Sequence, residues 1–555
     1  MTDRLRIALA QLNPKVGALA ANLDLARKAL ADAEAAGADI VMFSELFLTG
    51  YFPDDLLFKP QFVADAIAAA HELVAATAGL SVALILPTIW QDKTGLHNAV
   101  IVADNGVITA TRLKRELVND DIFYEKRYFV AGPLPDPVLI KGVPIGIPIC
   151  EDIWHTSVCE HLAMRGAEIM LCPNGSPYWT DKQHVRKNLV RARVAEDDVP
   201  MLYLNQVGGQ DELVFDGASF GMEPGNKLVF QGKSFQTDFI VTDWVAGENG
   251  WTCAQGEVIE LTSTDEAPWL ACVLGLRDYV HKNGFKQVVL GLSGGIDSAV
   301  VAAMAVDAFG ADNVHCIMLP YRYTSEASLT DAKDCAQRLG VRYDVVAIGD
   351  PVDDALHELA PIFGNRPVDL AEENIQSRMR GVVLMAVSNK LGSMLLTTGN
   401  KSEMAVGYAT IYGDMNGGYN PLKDMFKMEV YRLAAWRNSH RPGDCLGPTG
   451  EVIPQPIIEK APSAELRPDQ KDQDSLPPYP VLDAILYSMV EEELSIGQIV
   501  AKGFDLALVQ RIEKLVNIAE YKRRQSAPGP KLTRKAFGLG RKYPITNGYR
   551  DVTKG

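Results

Sequence analysis

Two consecutive α/β domains are expected, the first with strands packed against helices and an antiparallel end, the second a doubly wound parallel sheet. Three observations predict this. The chain has 555 residues, 47% of them hydrophobic and 22% charged, more than one core normally holds at about 100–200 residues per domain. Short β-rich apolar runs alternate with helical periods in both halves. Around 247–264 the long apolar periodicity lapses and Gly247, Gly250 and Gly256 gather. The first domain is therefore placed at 1–246, a linker at 247–267 and the second domain at 268–555.

In the first half the apolar runs 7–12, 40–43, 82–86, 99–102, 144–149, 169–172 and 201–205 read as strands, with helices at 23–36, 62–76 and 183–196. Runs 213–220, 227–230 and 239–242 follow without long helices, which predicts an antiparallel continuation of the sheet. From Pro268 the order is helix, strand 287–291, helix 298–309, strand 314–318, helix 325–339 and strand 342–347. This repeated β-α-β order is that of a doubly wound parallel sheet. An apolar helix at 382–387 and a strand at 394–398 come next, helices dominate after Val481, and the basic, Pro/Gly-containing 525–540 reads as an exposed loop or tail.

The charge balance, 54 Lys+Arg against 70 Asp+Glu for a net −16, opposes nonspecific binding of nucleic acid or anionic lipid. Eight cysteines with no C-x-x-C pair suit a reducing cytoplasm rather than a disulfide framework or structural zinc. The first apolar run is broken by Gln11, Asn13 and Pro14, so no signal-peptide core is read there. The uncharged stretch 73–90 contains Thr77, Gly79, Ser81 and Pro87 and divides into a helix end, a turn and a strand rather than the roughly 20 apolar residues of a membrane span.

The most specific motif is Leu290-Gly291-Leu292-Ser293-Gly294-Gly295-Ile296-Asp297-Ser298, where an apolar strand turns into a helix. Gly291, Gly294 and Gly295 let backbone N–H groups approach an anion, and Ser293 and Ser298 add hydroxyl donors at the positive end of the helix. Phosphate or pyrophosphate is the natural ligand. Asp297 would repel it unless a divalent cation intervened, which points to Mg²⁺; otherwise Asp297 is a helix cap in a Gly-rich turn. The loop is not a Walker A motif.

Further on, Asn374 and Arg378 stand four apart, on one helical face, with Arg380 beside them. The arginines suit phosphate or carboxylate, or else a solvated face. After the strand that ends near Thr398 come Glu403, a candidate second magnesium ligand, and Thr410 and Asp414, in reach of a nucleotide or substrate; as isolated residues they are loop polar groups.

The phosphate loop resembles the S-G-G-x-D-S signature of the N-type ATP pyrophosphatases, which adenylate a substrate and release pyrophosphate. Together with Pro421-Leu422-Lys423-Asp424-Met425-Phe426-Lys427 and Ser463-Ala464-Glu465-Leu466, it resembles the motif set of the NAD synthetase family from about Pro268 onward. That resemblance implies ATP contacts from the phosphate loop, Thr398 and Lys427. It implies contacts to nicotinic acid adenine dinucleotide (deamido-NAD) from Asn374, Arg378, Arg380, Glu403, Thr410, Asp414, Lys423 and Ser463. Mg²⁺ on Asp297 and Glu403, and a Ser-Ala-Glu-Leu loop that closes over the site, follow from it too, with no redox cofactor.

In the first half, Cys150 ends an apolar run; a thiol there is a nucleophile if a base and a cation lie near, and otherwise a common buried residue. Glu45 and Lys114 also stand just beyond apolar strands. The order Glu, Lys, Cys resembles the nitrilase superfamily and implies an α-β-β-α sandwich in which Glu45 is the general base, Cys150 the nucleophile and Lys114 the cation that stabilises oxyanion and thiolate. Phe123-Tyr124-Glu125-Lys126-Arg127-Tyr128-Phe129 resembles the family's F-x-E-x-R-x-F stretch, implying an orienting Glu125. Asn174-Gly175-Ser176 resembles its substrate loop, implying glutamine contacts from Ser176 and Lys182, with Tyr51 and Glu151 as further ones. One departure stands out: where glutamine-using relatives often show Leu-Pro-Asn-Tyr, this chain has Leu117-Val118-Asn119-Asp120, so glutamine must be held differently there.

Joined, the halves imply an enzyme that releases ammonia from glutamine at one site and spends it on an adenylated carboxylate at the other. The expected partners are small molecules, with no nucleic acid or membrane, in a cytoplasmic homo-oligomer. The runner-up keeps both sites but changes the acceptor to another carboxylate or a carbonyl; a non-catalytic dinucleotide sensor is disfavoured by the intact Glu, Lys and Cys.

Overall fold

The alternation of apolar side chains along β1 (Arg4–Gln11) already separates two cores. Leu5, Ile7 and Leu9 enter one cluster while Ala8 and Ala10 enter another, because successive side chains of a strand point to opposite faces. The computed structural model describes residues 3–120 and 122–551. They divide into two compact units, one of residues up to 210 with 214–262, the other of 211–213 with 263 onward.

In the first unit, β1 is followed by α1 (Leu19–Ala35), β2 (Ile40–Phe43), α2 (Pro60–Ala75), β3 (Ala83–Asp92), β4 (Gly95–Asp104) and β5 (Val107–Leu113). Then come β6 (Val138–Ile140), β7 (Val143–Gly146), α3 (Thr156–Met164), β8 (Ile169–Asn174), α4 (Lys182–Asp197), β9 (Met201–Asn205), β10 (Phe220–Glu223), β11 (Lys227–Gln231), β12 (Asp238–Gly247) and β13 (Gly250–Gln255). Among the described residues these form a seven-stranded sheet in the order β13-β12-β1-β2-β3-β4-β5 and a six-stranded sheet in the order β11-β10-β9-β8-β7-β6.

Ile7, Ile40, Ile85 and Val100 of the first sheet pack against Ile145, Ile169, Leu171 and Leu202 of the second. The outer face of the first sheet is covered by α1 and α2 through Leu23, Leu30 and Leu73, and that of the second by α3 and α4 through Val158, Leu162 and Val190. The result is an α-β-β-α sandwich.

The antiparallel continuation expected at 213–242 is shared between both sheets from Phe220 onward, while Leu213–Asp216 forms a strand outside them. β10 and β11 extend the second, whereas β12 returns to pair with β1 in the first. The stretch expected as a linker begins with a strand, β13, paired antiparallel to β12 and burying Trp251; alternate buried residues in a short edge strand leave too weak a period to read locally.

The second unit opens with α5 (Glu266–Lys282), β14 (Val288–Gly291), α6 (Ile296–Phe309), β15 (Val314–Met318), α7 (Glu326–Leu339), β16 (Arg342–Val345), α8 (Gly349–Phe363), α9 (Leu370–Leu391) and β17 (Met394–Leu396). The four strands are all parallel, in the order β16-β15-β14-β17. β14 and β17 flank the point where the winding reverses, and loops beyond the strand ends at such a point form a crevice. Then come α10 (Lys401–Val406) and α11 (Lys427–Ser439), and a helical region from Tyr479 onward packs on Ala405, Val406 and Phe426.

Two expectations are corrected here. The polar residues 374–380 do not precede the apolar 382–387 helix but belong to the same helix, α9, which runs on through Gly381, where a Cβ would stand 2.9 Å from the Tyr412 carbonyl oxygen. The 525–540 segment is not an exposed tail. Ala527, Lys531, Leu532 and Phe537 are buried, and Asp424 accepts hydrogen bonds from the backbone N–H groups of Leu532 and Thr533.

Candidate functional sites

In the first unit, Glu45 lies just beyond β2, Lys114 just beyond β5, and Cys150 opens a short 3-10 turn after β7. The folding of three strand ends to one edge brings them together. Lys114 Nζ lies 2.6 Å from Glu45 Oε1 and 2.8 Å from Glu125 Oε2, with Lys114 and both carboxylates fully buried. Asn98, on β4, donates at 2.8 Å to each of the two carboxylates, and the Gly175 N–H donates to Glu45 Oε2 at 3.1 Å. The Val118 N–H holds Glu125 at 2.9 Å. Each charge is thus paired and hydrogen-bonded, the condition under which ions persist in an interior.

Cys150 adopts φ +46°, in the left-handed region that a non-glycine residue enters only when its surroundings impose it. Burial pushes its thiol well above the ordinary range; Glu45 adds to the shift by its charge and as the partner of a thiol hydrogen bond, and Lys114 opposes it. The Cys150 thiol thus stands beside the Glu45 side chain as its hydrogen-bond partner. Burial disfavours the Lys114 charge, but Glu125 and Glu45 outweigh it and hold the ammonium well above its usual range. Burial also raises the Glu125 and Glu151 carboxyls.

The expected glutamine contacts surround this set. Tyr51 is buried, its ring 4.9 Å from that of Phe123. Its hydroxyl has no hydrogen-bond partner among the described residues, and burial followed by the Glu45 charge raises its pKa. Gly175 gives this ring room, since a Cβ there would stand 2.6 Å from it. Ser176 is braced by Arg186 Nε at 3.1 Å and by Asn205 Oδ1, which accepts its N–H at 2.9 Å. Lys182 starts α4 with its ammonium 4.6 Å from the Trp154 ring, an aromatic face that attracts a cation. Asn98, Arg186 and Asp216, which pairs with Arg186 at 2.7 Å, escaped sequence reasoning. A lone amide inside the apolar run of β4 was the available signal.

In the second unit a cavity of about 320 Å³ opens beyond β14 and β17. Gly291, Ser293, Gly295, Asp297 and Ser298 line it on one side, Thr398, Glu403 and Lys427 on another. Gly294 does not line it but turns the loop at φ +78°, where a Cβ would meet the Ser328 carbonyl oxygen at 2.4 Å. Ser298 Oγ accepts the Ser293 N–H at 3.2 Å and donates to the Gly295 carbonyl at 3.0 Å, which shapes the loop ahead of α6.

Lys427 Nζ joins Asp297 and Glu403, the latter at 3.0 Å, and Asn400 Nδ2 donates to Asp297 at 3.0 Å. Burial, against the opposing pull of Lys427, moves the Glu403 carboxyl up to about 7. Asp472, which lines the same cavity, accepts from Tyr479 at 2.9 Å.

The remaining expected contacts divide. Arg380, Asp414 and Ser463 line the cavity; Asn374, Arg378, Thr410 and Lys423 do not. Asn374 accepts from Thr410 Oγ1 at 2.9 Å and Arg378 donates to the Ile411 carbonyl at 3.2 Å, so this face of α9 braces the 408–414 loop. Lys423 pairs with Glu212. The Ser-Ala-Glu-Leu loop covers part of the cavity and is fastened by Glu465, which accepts from Ser325 Oγ and Ser328 Oγ, both at 2.8 Å. Lys460 and Asp472 were missed, since the one ends a five-residue helix and the other opens a 3-10 turn, both too short to carry a period.

These two sites define the class: an amidase-type unit built on a buried Glu, Lys and Cys, and a nucleotide-binding unit with a phosphate loop. The family model for carbon-nitrogen hydrolase matches residues 6–245 and that for NAD synthase residues 269–526. The glutamine-dependent NAD(+) synthetase of Rhodobacter capsulatus is 53% identical, with 99% of this chain and 100% of that protein covered. The enzyme of that name from Xanthomonas campestris is 48% identical, with 98% of each covered. The solved glutamine-dependent NAD+ synthetase of Acinetobacter baumannii, in complex with adenosine diphosphate, is 37% identical with a TM-score of 0.78, covering 99% of this chain and 100% of that one. The chain belongs to the glutamine-dependent NAD(+) synthetase family.

Proposed function

We propose that the chain hydrolyses L-glutamine in its first unit and, in its second, uses ATP to adenylate and amidate deamido-NAD, giving NAD⁺, AMP, diphosphate and glutamate. The observation that carries this reading is the buried Glu45, Lys114 and Cys150 set on the same chain as a phosphate loop that opens into a cavity. Glu45 takes the thiol proton as the Cys150 sulfur attacks the side-chain amide, and the Lys114 ammonium faces the charge that develops on the amide oxygen. Glu45 then returns the proton to the departing ammonia, and water releases glutamate from the thioester. Tyr51, Glu151, Ser176 and Lys182 hold the amino-acid end of glutamine.

In the second unit the loop N–H groups and hydroxyls of Ser293 and Ser298 bind phosphates at the N-terminus of α6. Thr398 and Lys427 complete the ATP contacts; Arg380, Asp414 and Ser463 face deamido-NAD, while Asn374, Arg378 and Thr410 shape its loop. Attack of the nicotinate carboxylate on the α-phosphorus expels diphosphate, and ammonia displaces AMP.

Asp297 and Glu403 fit Mg²⁺: both face the cavity, and this ion takes one or two protein carboxylates and completes its shell with water and phosphate oxygens. Among the described residues no three-ligand metal cluster occurs, in keeping with an ion that relies on its substrate. Bound there, it offsets the charge of the triphosphate. Ammonia is protonated in neutral bulk water, so a protected transfer is part of this reading.

A homo-oligomer is also proposed, supported by the apolar residues Ile362, Val368, Leu370 and Val382 left exposed on and between α8 and α9. A cytoplasmic location accords with eight free cysteines, and no helix among the described residues is long and apolar enough to cross a membrane. A different acceptor is not favoured, because the full-length relatives are NAD(+) synthetases. NAD⁺ formation from deamido-NAD, ATP and Mg²⁺ is to be followed with glutamine and, separately, with ammonium. Both are expected to support it, and failure to consume deamido-NAD with either would overturn the substrate.

A further inference from the structure

Glutamine hydrolysis requires the Cys150 sulfur and the Lys114 ammonium to keep a set distance, yet they stand on segments far apart in sequence. One side chain ties those segments together. Asp152 is fully buried. Its Oδ2 accepts the N–H of Ile149, the residue before the nucleophile, at 2.9 Å. Its Oδ1 accepts the N–H of Glu116 at 2.7 Å and of Arg115 at 3.1 Å, the two residues after the lysine. Arg112 Nη2 closes on Oδ2 from the same strand that delivers Lys114.

We infer that Asp152, paired with Arg112, is a positioning residue that fixes the Cys150 turn against the Lys114 segment. This rests on the glutamine hydrolysis proposed above. Two features favour it over a generic buried ion pair. Arg112 is nearly sealed from solvent, and its Nε and Nη1 have no hydrogen-bond partner among the described residues. Burying a guanidinium so sparsely satisfied is costly, which fits a group kept for its charge opposite Asp152. The charge matters because only a carboxylate accepts on both oxygens at once. The second feature is the left-handed φ of Cys150, a conformation that must be imposed from outside the residue. Asp152 restrains that turn twice, through its side-chain bond to the Ile149 N–H and its own N–H to the Ile149 carbonyl at 3.0 Å. The carboxylate's hydrogen bonds go to backbone and to Arg112, so it acts through the placement of Cys150 and Lys114.

The test is Asp152→Asn in the full chain. The variant keeps the shape but turns an amide NH₂ toward one set of donors. Since misplacing reacting groups by about 1 Å costs on the order of 100-fold, glutamine-driven kcat should fall roughly 10- to 100-fold with KM changed by less than about twofold. The ammonium-driven rate should persist. The pH profile for alkylation of Cys150 by iodoacetamide should shift upward as the Lys114 charge loses its register with the sulfur. A second variant, Arg112→Lys, keeps a cation but not the planar fork, and should show the same signature at smaller amplitude. Full glutamine-driven turnover in Asp152→Asn would overturn the inference. If that variant does not fold, an unchanged kcat and alkylation profile in Arg112→Lys would do so. Equal loss of glutamine- and ammonium-driven rates with unaltered alkylation would also count against it. Absence of either activity in the unaltered chain would instead sink the proposed function.

Discussion

The two sites solve opposite electrostatic problems. In the first unit, Glu45, Lys114 and Glu125 are sealed from solvent and saturate one another before any substrate arrives. In the second, Asp297, Glu403 and Lys427 face a cavity of about 320 Å³, and their mutual pairing stands where phosphates and a cation would enter. The side-chain amide that would react is neutral and brings no charge to the reacting centre, so preorganised ions must supply it there. A polyanionic nucleotide brings charge with it, so its site needs balanced groups that can exchange partners.

The sharpest way to break that contrast is to remove one ion from the sealed set. Lys114→Met leaves Glu45 and Glu125 as buried carboxylates without a cation, and removing one partner of a buried pair costs about 3–5 kcal/mol. Thermal or denaturant unfolding followed in the first unit should show it. Glutamine-driven synthesis should fall by about 10⁴-fold or more, as it should in Cys150→Ala. Cys150→Ala should retain the ammonium-driven reaction, and loss of both would mean the sites are not separable.

Asp297→Ala should depress synthesis from either nitrogen source by roughly 100-fold, with glutaminase turnover measured by glutamate release spared. Equal loss of glutamate release would erase the distinction between the sites.

A smaller effect is expected at the covering loop. Glu465→Ala removes the bonds to Ser325 and Ser328, a loss of about 1 kcal/mol at a half-buried position and hence about fivefold. It should appear in the KM for ATP rather than in kcat.

The smallest is a pH effect. Glu403 binds its proton more tightly when folded, at about 7 against an ordinary 4.5. Its contribution to stability is therefore full below about 4.5 and is lost as pH rises from there to about 7. In Glu403→Gln, the stability of the substrate-free protein should decline less across that window, as chemical denaturation at several pH values would show.

Much of the first site was legible because each of its main residues follows a strand or an apolar run: Glu45 after the strand 40–43, Lys114 after the strand 107–113 and Cys150 after the apolar run 143–149. A strand end is a local feature, and a charge or thiol placed there stands out against the apolar run. Asn98 was not found, although it donates to both carboxylates. Its neighbours are those of any buried strand, and which amide meets a carboxylate depends on sheet register.

The phosphate loop was legible for the same local reason, since glycine spacing and a strand-to-helix turn lie within nine residues. The face of Asn374 and Arg378 was legible as a face. That it meets the 408–414 loop rather than the cavity lining depends on how α9 rotates against its neighbours, which the helical period does not contain. Lys423 shows the same limit, because its partner, Glu212, comes from a distant part of the chain.

The sequence by itself determined the α/β class, the alternation of cores along β1, the glycine turn ahead of α6 and the chemical types available at the strand ends. All of these follow from short-range periods and from residues whose backbone or side-chain chemistry is special. Tertiary structure alone decided that β12 returns to β1 while β10 and β11 join the other sheet, that Asp152 spans the segments of Cys150 and Lys114, and that burial pushes the Glu403 carboxyl up. Pairing between distant strands, and the burial that shifts a proton, are properties of the packed chain, set by the sum of many weak contacts rather than by any local pattern.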